Sequence, residues 1–103
     1  MLRIYPVILD WIASLPPVIR SIGEHDPNLA DHLRRSSTAV GLNVAEGMGA
    51  TGGSKTRSYR VALREMREAM AAIDIASRLA YVTHDSSDHE HRIIGTLVRL
   101  AKP

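Results

Sequence analysis

Residues 34–55 read RRSSTAVGLNVAEGMGATGGSK. The stretch joins an apolar stripe of helical spacing to a glycine-rich segment that leads into Lys55 and Arg57, and its interpretation decides the fold. Gly47, Gly49 and Gly52 have the spacing of the dinucleotide-binding fingerprint, whose glycines let backbone approach a pyrophosphate. Gly49 to Thr56 departs from a P-loop at a single position, where Ser54 stands in place of the second glycine. The third interpretation is the end of one helix, a turn, and the start of another.

The surroundings favour the third. Leu29, Leu33, Val40 and Val44 lie on one helical face, and Ser36 and Gly47 complete the stripe with small residues that allow close approach. Asp26 followed by Pro27 reads as an N-cap and a first helical residue. Gly41 inside this helix costs about 1 kcal/mol relative to Ala, so close packing against another helix is the expected compensation. A dinucleotide fold requires a strand before the glycines and an acidic residue about 20 positions after them. Asp74 meets the spacing, but the residues before Gly47 have helical periodicity and no segment reads better as a strand. The P-loop reading lacks an apolar strand ending in an Asp that could hold magnesium. Gly47, Gly49, Gly52 and Gly53 therefore end one helix, and Ser54 is placed to cap the next. The backbone N–H groups opening that next helix, with Lys55 and Arg57, remain a candidate phosphate contact.

Toward the N-terminus, Ile4, Val7, Ile8, Trp11, Ile12 and Leu15 mark a first amphipathic helix, which Pro16 and Pro17 must kink or split before Val18, Ile19 and Ile22 resume its apolar face. Toward the C-terminus, a third helix is predicted from Ser54 to about Val82, roughly 40 Å long, with Tyr59, Ala62, Leu63, Met66, Ala69, Met70, Ile73, Ala76 and Ala80 buried. Ala72, Ile75 and Leu79 form a second apolar strip on the same helix, more than a small monomer needs, and predict an oligomer interface. Ser87 and Glu90 form a capping box that opens a short fourth helix carrying Ile93, Ile94, Leu97, Val98 and Leu100. The prediction is a single all-α domain over residues 1–103: four helices, the first kinked, the third long and the fourth short.

Composition agrees. The chain has no Phe, one Trp and three Tyr, so its core must be aliphatic. Its 103 residues suffice for one modest core but not for a paired Rossmann fold. It has no Cys, hence no disulfide or thiolate metal site, which is compatible with a reducing compartment. Asp10 breaks the apolar N-terminal run, so a signal peptide is not expected, and no run approaches the roughly 18 apolar residues needed to span a membrane. A soluble cytoplasmic protein is expected, with no membrane partner.

Arg35, Val40, Asn43, Ala45, Glu46 and Gly47 resemble the signature of the four-helix-bundle proteins related to those encoded by intervening sequences in bacterial 23S ribosomal RNA genes. The accessory variability determinant of diversity-generating retroelements belongs to the same group. Tyr59, Ala62, Glu68, Ala76 and Leu79 to Val82 fall where the family carries a second block. Ala39 stands where serine is usual, Gly41 where proline is usual, and Arg64 with Glu65 where Gly-Ser is common. The resemblance implies an up-down four-helix bundle, often a homopentamer, without known enzymatic activity. For the retroelement member it also implies binding to RNA and to a reverse transcriptase. Signature residues Arg35, Asn43, Ala45, Glu46, Gly47 and Glu68 are expected to serve structure.

Charge suggests where a partner would bind. Formal net charge is only +2, yet eleven of the thirteen basic residues are Arg, whose rigid donor fork suits phosphate and carboxylate. Arg57, Arg60, Arg64 and Arg67 project from one side of the third helix within about 80° of arc. Of the acidic residues along this helix, only Glu68 is expected to pair with one of them, Arg64, so the stripe is poorly neutralised. Lys55, Arg34 and Arg35 could extend it, although Asp31 lies one turn before both Arg34 and Arg35 and is placed to pair with either. The stripe fits RNA or DNA phosphates. A protein-interaction scaffold with an acidic protein partner is the alternative, and a solvated face is the plain one.

Asn43 and Glu46 fall together near a helix end, where Asn can bond to backbone and Glu to a neighbouring Arg. One carboxylate without a base, nucleophile or metal makes no active site, so no enzyme is expected. His84, Asp85, Asp88, His89, Glu90 and His91 form a metal-like cluster of poor spacing, and the acidic members suit a helix N-terminus. No metal or cofactor is expected.

Overall fold

The computed structural model describes residues 2–84 and 87–102, and these form five helical segments: α1 (Ile4–Ser14), α2 (Pro16–Gly23), α3 (Pro27–Met48), α4 (Gly52–Arg78) and α5 (Asp88–Leu100). The fold is all-helical and consistent with a four-helix bundle, because α1 and α2 are the two halves of the predicted first helix. Pro16 splits them. It has no N–H to continue the α1 ladder and sits at the first position of α2, where that N–H is not needed. Leu15, at the junction, is buried.

Asp26 caps α3 by accepting from the Leu29 N–H at 3.0 Å, with Pro27 first in the helix. Gly49 ends it. Only residues 49–51 separate α3 from α4, so the two must run antiparallel, and α4 fills the long axis of a molecule 42 Å in extent. Their register is readable from side-chain pairs: Gly47 meets Tyr59, Glu65 shares a groove with Ser36 and Ala39, and His32 reaches Glu68. This is the most extensive helix pair in the fold. Helix α2 rests on α3, α1 touches both α3 and α5, and α5 packs on α4, enclosing one continuous aliphatic core. Ile8, Trp11, Leu15, Ile22, Leu33, Val40, Met66, Ile73, Ile93 and Leu97 are among its largest apolar members with almost no exposure.

Two glycines of α3 explain the small-residue stripe. A Cβ built on Gly47 would lie 2.5 Å from Tyr59 Cε1 and 2.9 Å from its Cδ1, so the tyrosine ring lies flat against bare backbone. At Gly41 the nearest atom is the terminal Cδ1 of Ile12, at 3.1 Å, where α1 crosses. The close packing expected to offset Gly41 is therefore present. The two sites differ in what must yield: a rigid buried ring at one, the end of a flexible side chain at the other.

The structure corrects both ends of the predicted third helix and the burial of Ala80. Helix α4 starts at Gly52, not Ser54: Gly52 has φ +58°, a left-handed value that a side chain would oppose, and Thr51 occupies the cap position without a side-chain cap bond. It ends at Arg78 instead of near Val82. The Tyr81 N–H bonds to the Ala76 carbonyl at 2.9 Å and the Ala80 N–H to Ser77 at 3.1 Å, with Ala80 at φ 61°, which is a Schellman closure built on a residue other than glycine. Ala80 is consequently exposed and not part of the buried face. The capping box opening α5 is as predicted, with both Ser87 and Glu90 bonds formed.

Gly47→Ala is expected to lower stability by about 1–3 kcal/mol through overpacking against Tyr59, whereas Gly41→Ala, which gains helix propensity and displaces only a methyl group, should raise it by up to about 1 kcal/mol. Urea unfolding of both variants measures the contrast, and equal losses would refute the distinction. Ala80→Gly should stabilise the chain by roughly 0.5–1 kcal/mol by relieving left-handed backbone strain; a fall in the unfolding midpoint would contradict the Schellman assignment.

Candidate functional site

Each functional reading depends on which side chains α3 and α4 leave at the surface. Arg57, Arg60, Arg64 and Arg67 are all exposed, on the side of α4 not covered by its neighbours. Arg60, Arg64 and Arg67 line one shallow groove with Leu63, Glu68 and Ala71. At a rise of about 1.5 Å per residue, the stripe from Arg57 to Arg67 spans roughly 15 Å.

Neutralisation differs from the sequence expectation. Arg64 approaches Glu65, at 3.7 Å, and Glu68 approaches His32 on α3, also at 3.7 Å. The predicted Arg64–Glu68 pair does not form, because Glu68 is drawn toward the α3 side of the helix. Such exposed pairs are worth at most about 1 kcal/mol. Arg60 has a structural commitment: its Nε donates to the Ala101 carbonyl at 3.0 Å, satisfying an acceptor at the C-terminal end of α5. Arg57 and Arg67 make no ion pair among the described residues.

The expected extensions divide. Lys55 is half-buried and, two positions before Arg57 in α4, is turned about 200° around the helix from it, off the arginine face. Arg35 lines a groove with Glu65 and Glu68, so those two carboxylates stand between it and the arginines of α4. Arg34 faces away. It lines a groove with Ile12, Pro16, Ile19 and Arg20 beneath α1 and α2, and it pairs with Asp31, which also lies 3.6 Å from Arg35. Two positions apart from His32, Arg34 is turned about 200° around α3, which removes it from the α4 face.

The apolar strip also divides. Ala72 is 2% exposed and belongs to the core, since the α3–α4 crossing covers it; Ile75 and Leu79 are 50% and 54% exposed. Ile75 borders a groove with Leu29, Asn28 and Ala71. Thus the open face of α4 is basic in its first half, and its second half sets Ile75 and Leu79 beside exposed Asp74 and Arg78.

Asn43 donates from Nδ2 to the Ala39 carbonyl within its own helix, at 2.8 Å. Ala45 is half-buried, and Glu46 is exposed with no ion pair among the described residues, so the expected reach to a neighbouring arginine is absent there. Burial raises the pKa of the Tyr59 phenol above its ordinary value, and its hydroxyl finds no hydrogen-bond partner among the described residues. The ring contact with Gly47, not the hydroxyl, gives Tyr59 its place.

One buried polar centre was not foreseen. Glu90 is 1% exposed, and its Oε2 accepts from Trp11 Nε1 at 3.0 Å and lies 2.9 Å from His84 Nε2, while Oε1 accepts the Ser87 N–H at 2.9 Å. A single carboxylate thereby ties α1, the segment before α5 and α5 itself together. Sequence spacing marks Trp11 only as part of the apolar face of the first helix and Glu90 as a cap; the indole N–H, which needs a partner when buried, is the signal that joins them. Of the metal-like cluster, His84 and Glu90 meet, His89 and His91 are exposed, and Asp85 lies outside the described residues.

Residues 19–102 match the sequence model of the 23S rRNA-intervening sequence protein family. The chain belongs to that family. A solved structure similar to it is a protein of unknown function from the S23 ribosomal protein family of Bacteroides thetaiotaomicron, at 16% identity and a TM-score of 0.70, covering 95% of this chain and 91% of that one. At that identity the likeness concerns the fold alone. Comparison with curated proteins gives no match. The family signature now has physical content: Gly47 admits the Tyr59 ring, and Asn43 closes a backbone acceptor inside α3. Among the described residues, no helix is long and apolar enough to cross a membrane.

Trp11→Phe keeps the ring in the core and removes the donor to a buried carboxylate. It should cost about 1.5–3 kcal/mol, measured by urea unfolding followed with circular dichroism; a change below the error of the fit would show that the indole N–H is dispensable.

Proposed function

We propose that this member of the family is a non-enzymatic, cytoplasmic, homo-oligomeric bundle that binds nucleic-acid phosphates through the arginine face of α4. The observation that carries the reading is the run of exposed Arg57, Arg60, Arg64 and Arg67 along about 15 Å of one helix face, with Glu68 turned aside toward His32. Arginine forks at fixed spacing suit phosphate oxygens, and each neutralised phosphate releases counterions. Self-association is supported by exposed Ile75 and Leu79 farther along the same face; by resemblance the assembly is a pentamer. Repetition of the stripe by symmetry would multiply weak contacts into useful avidity. The absence of catalysis rests on the signature polar residues: Asn43 is spent on its own backbone, and Glu46 stands exposed without a partnering base.

The test is binding of a structured RNA at low salt, followed by fluorescence anisotropy. The variant carrying Arg57→Ala, Arg64→Ala and Arg67→Ala should lose at least about tenfold in affinity and flatten the salt dependence, while Arg20→Ala on α2 should change neither. Arg60 is left in place because it also serves the end of α5. Light scattering on the same samples reports mass, and Ile75→Asp should reduce it to that of a monomer. Undetectable binding of RNA by the parent chain, with an acidic protein retained after nuclease treatment, would replace this reading by the scaffold alternative.

A further inference from the structure

Resting on the phosphate reading above, we propose that the arginine face grips the backbone of a double-stranded nucleic acid without reading its bases, and that it disfavours single strands.

The first support is rigidity. The arginines stand on a 27-residue helix braced by α3 on one side and α5 on the other, and Arg60 is fixed further by its bond to the Ala101 carbonyl. An array of cations held at fixed spacing loses little freedom when it meets an equally stiff array of phosphates. A flexible single strand must itself be ordered to match, and it presents fewer phosphates per unit length than a duplex.

The second is the placement of the aromatic residues. Proteins that hold single strands stack bases on exposed aromatic rings. The chain has four such residues in all. Trp11 and Tyr59 are buried in the core, Tyr81 stacks on His25 beyond the far end of α4, and Tyr5 is half-buried on α1. The other side chains lining the arginine groove are Leu63, Glu68 and Ala71, none of which offers an aromatic stacking platform.

The third concerns base recognition. Amide side chains read adenine edges, but the sequence contains no Gln, Asn43 is bonded to its own helix, and Asn28 lies beside Ile75 in the apolar half of the face. Arginine can read guanine only from within a groove. Recognition helices of the helix-turn-helix type reach base edges from residues at the helix N-terminus, whereas Arg60, Arg64 and Arg67 stand about two to four turns into α4, which α3 and α5 flank. The face therefore lies most readily across phosphate ridges.

The test compares duplex RNA, duplex DNA and an unstructured oligouridylate of equal phosphate number, titrated with the full chain by anisotropy over a range of salt. A duplex of either sugar should bind at least roughly tenfold tighter than the single strand, with a log–log salt slope near −3 per protomer for three to four phosphates. Permuting the duplex sequence should leave affinity unchanged within about threefold. Arg57→Ala with Arg67→Ala should make the duplex slope shallower by about 2. Equal or tighter binding of oligouridylate, or a strong effect of sequence permutation, overturns the duplex assignment and leaves the phosphate reading standing, whereas an unaltered slope in the double variant overturns the arginine-face reading and the duplex assignment with it. Failure of all three ligands to bind at low salt overturns both.

Discussion

The bundle depends on how closely α3 and α4 approach at Gly47. There the Tyr59 ring occupies the space a side chain would fill, near the closed end of the helix hairpin, and this contact sets the register of everything beyond it. Once Gly47 and Tyr59 meet, the antiparallel run brings Glu65 beside Ser36 and Ala39, then Glu68 to His32. A slip of one helical residue would rotate either stripe by about 100°, exposing Val40 and Val44 on one side and Met66 and Ile73 on the other. The contact is thus a packing constraint with a consequence for charge: it fixes which side of α4 stays open, and the four arginines occupy that side.

The remaining helices complete enclosure by different means. Apolar contact holds α2 on α3, but α1 and α5 are also joined through the buried Glu90 carboxylate. Burying a carboxylate is expensive unless hydrogen bonds compensate. Here Trp11, the Ser87 backbone and His84 surround it. The same Glu90 side chain closes the first turn of α5, so one residue both starts a helix and locates it against α1. Local capping and long-range packing are coupled by this economy, and the short α5 does not depend on apolar contacts alone for its position.

Much of this was legible from sequence because the relevant signals are local. Asp26–Pro27, Pro16 and the Ser87–Glu90 box declare helix ends through their own backbone chemistry, and three-and-four spacing declares the buried faces. The glycines resembled a nucleotide cradle only when separated from the helices around them. What escaped was set by tertiary partners. Ala80 adopts a left-handed conformation without the glycine that would announce it, so the end of α4 was extended too far. Ala72 lies at the margin of the apolar strip, and its burial depends on where α3 crosses. Arg34 and Arg35 are adjacent in sequence, yet they face different grooves because successive helical residues are about 100° apart. Glu68 chose His32 over Arg64 for the same reason: a partner on another helix is invisible to spacing along one helix.

The open face of α4 then poses a question of economy that bears on function. Its first half is cationic and its second half offers Ile75 and Leu79 to solvent, with no break in the helix between them. Mutual repulsion makes four neighbouring arginines costly to bring together, and among the described residues only Arg60, bonded to the Ala101 carbonyl, and Arg64, near Glu65, have offsetting contacts within the chain; exposed Ile75 and Leu79 gain nothing there. Both halves become favourable under one arrangement: apolar residues covered by protein, arginines covered by a polyanion. Because the halves share a rigid helix, occupancy of the apolar half by another subunit would set the spacing between successive arginine stripes. Under the proposed function, assembly would then determine the geometry of the surface offered to phosphates, and a stripe too short to hold a duplex strongly by itself would become one segment of a continuous track.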